Sequence, residues 1–315
     1  FAKQEPIELE FERFKDRFSK KFNIYINAGN WEELFNKIID ESKKSKKKLI
    51  VVVDEFPYWV IKHKGIISEF QYLWDEHINK SNIMLILLGS YVSIMENDVL
   101  GVKSPIFGRR TFQINLQPMP VISLRGFFPN ASIETIIKIY GITDTIPYYM
   151  SLLDPLSNFE ENLNKFLIQS SPIYQDAEII LSTELREHNT YLNIMKVILD
   201  GATKMNEIST KSKVDITNIS KYLNVLTQLK LLRKINPITS SAKEKNYLYE
   251  IEDNYFKFWL CFVYPYKEEI EQSPDLHAAY ILKNYNSYMG KIFEKFCLNL
   301  IRYKNNHFSK IGRWW

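Results

Sequence analysis

The sequence predicts an α/β protein, an open parallel sheet with covering helices, followed by a largely helical second half. Three observations carry this. The runs 49–53 (LIVVV) and 83–88 (IMLILL) are continuously apolar, without the alternation of a half-exposed strand. Such runs suit strands buried on both faces of a parallel sheet. Between them Ile66, Phe70, Leu73, Trp74 and Ile78 form the stripe of a crossover helix, completing a strand–helix–strand unit. Further on, three helical patterns (TYLNIMKVIL, KMNEISTKSKV and DITNISKYLNVLTQLKLL) lead into extended stretches at 232–235 and 247–251. Three helices and a hairpin make a winged helix, a variant of the helix-turn-helix.

The remaining elements follow in chain order. Leu9, Phe11, Phe14 and Phe18 fall near helical spacing within 7–20, and 31–42 reads as a second helix. The basic run 43–48 reads as the end of that helix, where the dipole favours cations. A short strand is expected at 112–116, ahead of Pro118 and Pro120. From Ser132 onward SIETIIKIYGI and NFEENLNKFLIQ are helical, and Asp215 is the expected N-cap of the last of the three helices. The dense aromatics of YFKFWLCFVYPY read as core or as a seam between domains rather than a base-stacking platform.

Bulk composition excludes several classes. A net charge of +4, from 41 basic and 37 acidic residues, supplies no strong basic field for nucleic acid. Cys261 and Cys297 are the two cysteines, too few and too far apart for a disulfide framework or a zinc site, so a reducing cytoplasm is expected. No apolar run approaches the ~20 residues of a membrane helix, so no membrane association is expected. The five histidines show no HExxH or paired spacing, and no GxSxG motif points to acyl transfer.

The chemistry-bearing feature is Asp54-Glu55, placed where the first apolar run ends. In phosphoanhydride hydrolysis Mg²⁺ bridges the β and γ phosphates while a carboxylate positions the attacking water. Asp54 is expected to reach the metal through its water shell and Glu55 to polarise the nucleophilic water. The plain alternative is a strand ending in an exposed acidic turn. Ser90, at the end of the second run, offers a hydroxyl that can sense a γ-phosphate. Arg109 and Arg110 in FGRRT offer guanidinium groups for the charge on the transferred phosphoryl group.

The blocks FAKQEP, VVVDEFPYW, FQYLWDE, LLGSYVSIMENDVLG, SPIFGRRT, IPYYM, YFKFWLCFVYP and IGRWW, in that order, resemble the archaeal ATPase family. These are P-loop NTPases of the STAND and AAA-like group, with a winged helix and a C-terminal domain similar to PD-(D/E)xK nucleases. The resemblance implies an incomplete P-loop NTPase-type parallel sheet at 1–122 and a helical lid at 123–187. It implies a winged helix at 188–253 and the start of a nuclease-like α/β domain at 254–315. It further implies ATP and Mg²⁺ as cofactors, Asp54-Glu55 as the Walker B pair and Ser90 as the sensor. Arg109 or Arg110 becomes the arginine-finger candidate, and Pro147 matches the lid proline near the nucleotide.

Three departures stand against that carry-over. No GxxxxGK followed by Ser or Thr occurs in the 315 residues, so the phosphate cradle of amides and lysine is absent from them. FAKQEP resembles the tail of the strand after that loop, so the expectation is a chain that starts partway along it and by itself neither binds nor hydrolyses ATP. Relatives carry a glycine pair before the lid proline where this chain has Asp144-Thr145; the side chains either crowd the nucleotide or bend the lid differently. Glu294 matches the first acid of the nuclease-like fold, but the later carboxylates and lysine would fall beyond Trp315.

Three readings therefore stand side by side: a nucleotide-driven switch ATPase, a DNA-binding module on a degenerate ATPase core, and a non-functional truncated remnant. For the second, Asn218, Lys221 and Asn224 are the candidate base-edge and phosphate contacts on the last helix. Lys243 and Lys245 are the candidates in the hairpin loop. Self-association or a protein partner, with the winged helix used for packing, is the alternative use of that module.

Overall fold

The computed structural model describes residues 1–45, 47–185, 187–239, 247–304, 308 and 310–314. The chain divides after Asn115 into two compact units.

In the first unit, α1 (Ile7–Phe22) and α2 (Trp31–Ser45) precede β1 (Leu49–Val53). Lys43 and Lys44 pair back to Asp40 and Glu41 in the last turn of α2, so these two lysines of the basic run close the helix, while Lys46 lies outside the described residues. Two short helices follow, α3 (Phe56–Lys62) and α4 (Ile66–Glu76), then β2 (Ile83–Leu87) and a single turn α5 (Val92–Ile94). The strands are parallel, with Val53 opposite Leu87. Val51 and Val53 face a core of Phe11, Trp31, Phe35, Trp59, Phe70 and Leu73. The rings of Trp31 and Trp59 lie 5.1 Å apart, with Phe14 packed edge-on against both.

Two expectations for this unit are corrected. The strands are covered on one face only, because the alternate side chains Ile50, Val52 and Met84 stand open, 58%, 46% and 45% exposed. Helices pack on the Val51 side, and an apolar run cannot report which of its faces has a partner. The stretch 112–116 is no strand but irregular chain, with Phe112, Ile114 and Leu116 largely in solvent. A strand needs a neighbour to take its backbone groups, and among the described residues β1 and β2 pair only with each other.

The second unit is helical: α6 (Leu124–Phe127), α7 (Ile133–Thr143), α8 (Pro147–Ser151), α9 (Phe159–Phe166) and α10 (Pro172–Glu184). Ser132 caps α7 through its hydroxyl, and Asn158 with Glu161 forms a capping box on α9. Next come α11 (His188–Leu199), α12 (Met205–Ser212) and α13 (Ile216–Gln228). The antiparallel pair β3 (Leu232–Ile235) and β4 (Leu248–Ile251) follows, Leu232 opposite Ile251. Asp215 accepts the Thr217 N–H at 2.8 Å as the N-cap of α13. Ile219, Leu223 and Leu226 turn into the core with Met195, Ile198 and Ile208.

The aromatic segment forms α14 (Asn254–Phe262), with Tyr255, Phe256, Phe258, Trp259 and Phe262 buried. That bears out core over a base-stacking surface. After α15 (Lys267–Gln272), the 31-residue α16 (Pro274–Lys304) packs along α7, α9 and α15. Among the described residues no helix is long and apolar enough to cross a membrane.

Candidate nucleotide site

At the end of β1 the ladder runs one step past both strands: Leu88 N–H donates to Val53 O and Phe56 N–H to Leu88 O, each at 2.9 Å. Asp54 and Glu55 are therefore held at the C-terminal edge of the parallel pair, where open α/β sheets gather ligands. Asp54 accepts the Glu55 N–H on Oδ1 at 3.0 Å, while its own carbonyl takes the Ala2 N–H at 2.7 Å. Glu55 sits in the left-handed region, φ 56° and ψ 41°. For a residue with a Cβ that costs about 1–2 kcal/mol, the kind of strain found where a side chain must be aimed.

The aim is at Ser90, whose N–H donates to Glu55 Oε2 at 3.3 Å. Gly89 makes this approach possible, because a Cβ there would overlap the Pro57 ring at the start of α3. Glu55 and Ser90 thus meet, with Asp54 next to Glu55 in the chain; Asp54 and Glu55 are half-buried and Ser90 is exposed. Each carboxylate accepts a backbone N–H on one oxygen and, among the described residues, makes no other side-chain hydrogen bond. Among the described residues no three acidic, histidine or cysteine side chains form a metal cage. Mg²⁺ needs none, since one or two carboxylates plus substrate phosphates and waters complete its shell, and the Asp54–Glu55 pair fits that requirement.

The arginines are engaged elsewhere in the unit. Arg109 Nε donates to both oxygens of Asp75 at 2.8 and 2.9 Å, and its NH1 to Pro105 O at 2.9 Å. That hydrogen-bonded pairing holds the Asp75 carboxyl below the usual carboxylate range. Arg110 donates to Leu100 O at 3.3 Å and lies over the Phe107 ring. Both line a hollow of about 150 Å³ with Phe70, Trp74, Leu85 and Leu87. Among the described residues neither bonds to Asp54, Glu55 or Ser90. Sequence reasoning missed Asp75 as a partner of Arg109 and Pro57 as the reason for Gly89. FQYLWDE and VVVDEFPYW contain both residues, but nothing local pairs them with positions more than thirty residues away.

In the second unit Pro147 opens the first turn of α8. Asp144, three residues earlier, has φ 51° and ψ −124°, a backbone that suits glycine. Its carboxylate is buried, accepting the Lys295 ammonium at 2.8 Å and the Asn254 N–H at 3.2 Å. Glu294 is paired with Arg313 at 2.6 Å. Asn218, Lys221 and Asn224 are exposed along α13. Lys243 and Lys245 lie outside the described residues.

Residues 4–153 match the family described as an ATPase domain predominantly from Archaea. Over 308 residues the chain is 31% identical to an uncharacterized protein of Methanocaldococcus jannaschii, covering 95% of this chain and 68% of that one. The chain belongs to this archaeal ATPase family. Residues 259–315 match a second family, archaeal and bacterial proteins of unknown function. Another uncharacterized M. jannaschii protein is 34% identical over 58 residues, 18% of this chain and 54% of that one. In fold the chain resembles a solved Walker-type ATPase of Pyrococcus abyssi, with a TM-score of 0.57 and 19% identity over 78% of this chain and 75% of that one. Family membership and fold together support an ATPase-like function.

Proposed function

We propose that the first unit contributes the metal-and-water half of an ATP hydrolysis site. Asp54 would hold a magnesium ion through its water shell, and Glu55 would accept a hydrogen bond from the attacking water and polarise it. Ser90 presents its hydroxyl to the γ-phosphate. Magnesium, when bound with the nucleotide, supplies charge neutralisation at the β and γ phosphates. The observation that carries the reading is the Ser90 N–H donating to a Glu55 held in a left-handed turn at the end of a parallel strand. Arg109 or Arg110 would serve the transferring phosphoryl group after exchanging its bonds to Asp75 and Pro105, or to Leu100, for phosphate oxygens.

The phosphate cradle is no part of these 315 residues, and amide and lysine contacts dominate triphosphate affinity. The 315-residue polypeptide by itself is therefore expected to bind MgATP no more tightly than millimolar, and micromolar binding by calorimetry would overturn that part of the reading. In a protein that carries the cradle ahead of Phe1, Glu55→Gln should keep ATP binding and lower kcat at least ~100-fold, the scale of losing a positioned base. Undiminished turnover would remove Glu55 from the mechanism.

The second unit is read in the same terms, with a lid over 123–187, a winged helix over 188–253 and the start of a nuclease-like domain from 254. One feature favours a DNA-binding use: Asn218, Lys221 and Asn224 share the exposed side of α13 with Ser220 and Gln228, opposite its buried Ile219, Leu223 and Leu226. Polar side chains on a helix opposite its packed face are what a groove contact requires. Gel-shift affinity that falls with salt, and weakens in Lys221→Ala, would support that use. Absence of any shift at low salt would end it.

A further inference from the structure

Three lysines, one from each of three helices, meet around a cavity of about 500 Å³ in the second unit: Lys196 of α11, Lys257 of α14 and Lys291 of α16. Asp200 is the one carboxylate in the lining. Lys196, Lys291 and Asp200 are exposed, but the Lys257 side chain is only 12% exposed. Its nearest carboxylate oxygen is Glu250 Oε1 at 3.9 Å. Glu250 is already committed, because Oε2 takes Arg233 at 2.9 Å and Arg313 at 3.1 Å. Among the described residues the Lys257 ammonium makes no hydrogen bond. Burial lowers its proton affinity; the Glu250 charge opposes this, and the Lys295 and Lys291 charges lower it again, so the net direction is down.

A buried cation without a hydrogen-bonded counter-charge is costly, and here it borders a cavity whose other charges are mainly cationic. In the lining three ammonium groups face one aspartate, and Glu250 beside Lys257 is shared with Arg233 and Arg313, so the cavity keeps a positive surplus that complements a phosphate anion. We propose that this cavity binds a phosphate group, either as the free ion or as a small phosphate monoester. Lys257 forms the floor of the site while Lys196 and Lys291 close on the anion from the rim. Pro265 and Tyr266 line the same cavity and give the organic part of a monoester a flat apolar wall. The cavity volume suits a ligand of that size. Tyr288 is already engaged, its hydroxyl donating to Gly141 O at 2.7 Å, so the lysines carry the recognition. The site lies wholly in the second unit and does not depend on the roles of Asp54 and Glu55.

The test is calorimetric titration of the 315-residue chain with sodium phosphate, sodium sulfate and AMP, against sodium chloride at matched ionic strength. Phosphate and sulfate should bind where chloride does not. Lys257→Met and the surface double variant Lys196→Ala/Lys291→Ala should each weaken binding at least ~10-fold, the scale of losing a charge-assisted contact. AMP binding more tightly than phosphate would identify a monoester site, and equal affinities a site for the free ion. Phosphate indistinguishable from chloride overturns the proposal, as does undiminished binding by the double variant. If Lys257→Met does not fold, the double variant alone decides, since both of its positions are exposed.

Discussion

Glu55 and Asp144 both carry side chains where the backbone favours glycine, and each is held by a partner distant in sequence. Glu55 is met by the Ser90 N–H, and that meeting depends on Gly89 lying against Pro57. Gly89→Ala would drive a methyl into the proline ring and push β2's end away from Glu55. A loss of about 1–3 kcal/mol is expected from such overpacking, read by urea denaturation; an unchanged midpoint would mean the close approach is dispensable. Asp144 is fixed by Lys295 across 151 residues of sequence. Burial pulls the Lys295 ammonium down, but Asp144, then Tyr140 and Glu252, outweigh it and leave the proton held more tightly than usual. Lys295→Met should cost ~3–5 kcal/mol, because it strands the buried Asp144 carboxylate. Adding Asp144→Gly should recover part of that loss, and strictly additive losses would deny the coupling.

Among the elements, helices were legible wherever their apolar stripe had a single side to hide. Within α4, Ile66, Phe70 and Leu73 follow such a stripe and are buried, and α13 begins at its Asp215 cap. The sheet was legible in its strands and their parallel sense, not in its covering, because LIVVV is apolar at buried Val51 and open Val52 alike. The stretch 112–116 alternates as a strand should, yet a strand is a property of two segments, and its neighbour is not among the described elements. At the candidate site, Asp54, Glu55 and Ser90 could be singled out because strand ends are local signals; the Arg109–Asp75 pair could not, since it joins residues 34 apart. The N-terminus of α14 gives this scale its pH test. Asp253 caps the helix by accepting the Phe256 N–H at 3.1 Å. Burial, and next the charge of Asp144, push its carboxyl up to about 6, from about 3.9 in an unfolded chain. The folded state therefore holds that proton more firmly. This contribution is complete below about pH 4 and is lost as pH rises through 6. Asp253→Asn keeps an acceptor for the cap and has nothing to titrate. The parent's stability relative to that variant should fall between pH 4 and 6, measured by denaturation at each pH, and a flat difference would reject the assignment.

At the scale of the molecule, the two units differ in how completely each closes its own core. The first has a two-stranded sheet with one apolar face uncovered, and a two-stranded sheet needs packing on it to be stable. The second buries the aromatic face of α14 together with α7, α9 and α16 in one continuous core from Val121 to Phe296. Stability that depends on buried apolar area should then be distributed unevenly along the chain. Heating is expected to give two transitions, with the first unit melting at the lower temperature. The tryptophans make the assignment possible. Trp31 and Trp59 are buried in the first unit and Trp259 in the second. Replacing Trp259 by Phe leaves the fluorescence change of the lower transition in place, whereas replacing Trp31 and Trp59 by Phe removes most of it. Calorimetry should resolve the same two steps, and a chain of residues 116–315 should show the upper one alone. One calorimetric peak, with every tryptophan reporting the same midpoint, would mean that the two units unfold as a single cooperative body and that the open sheet face is no weak point.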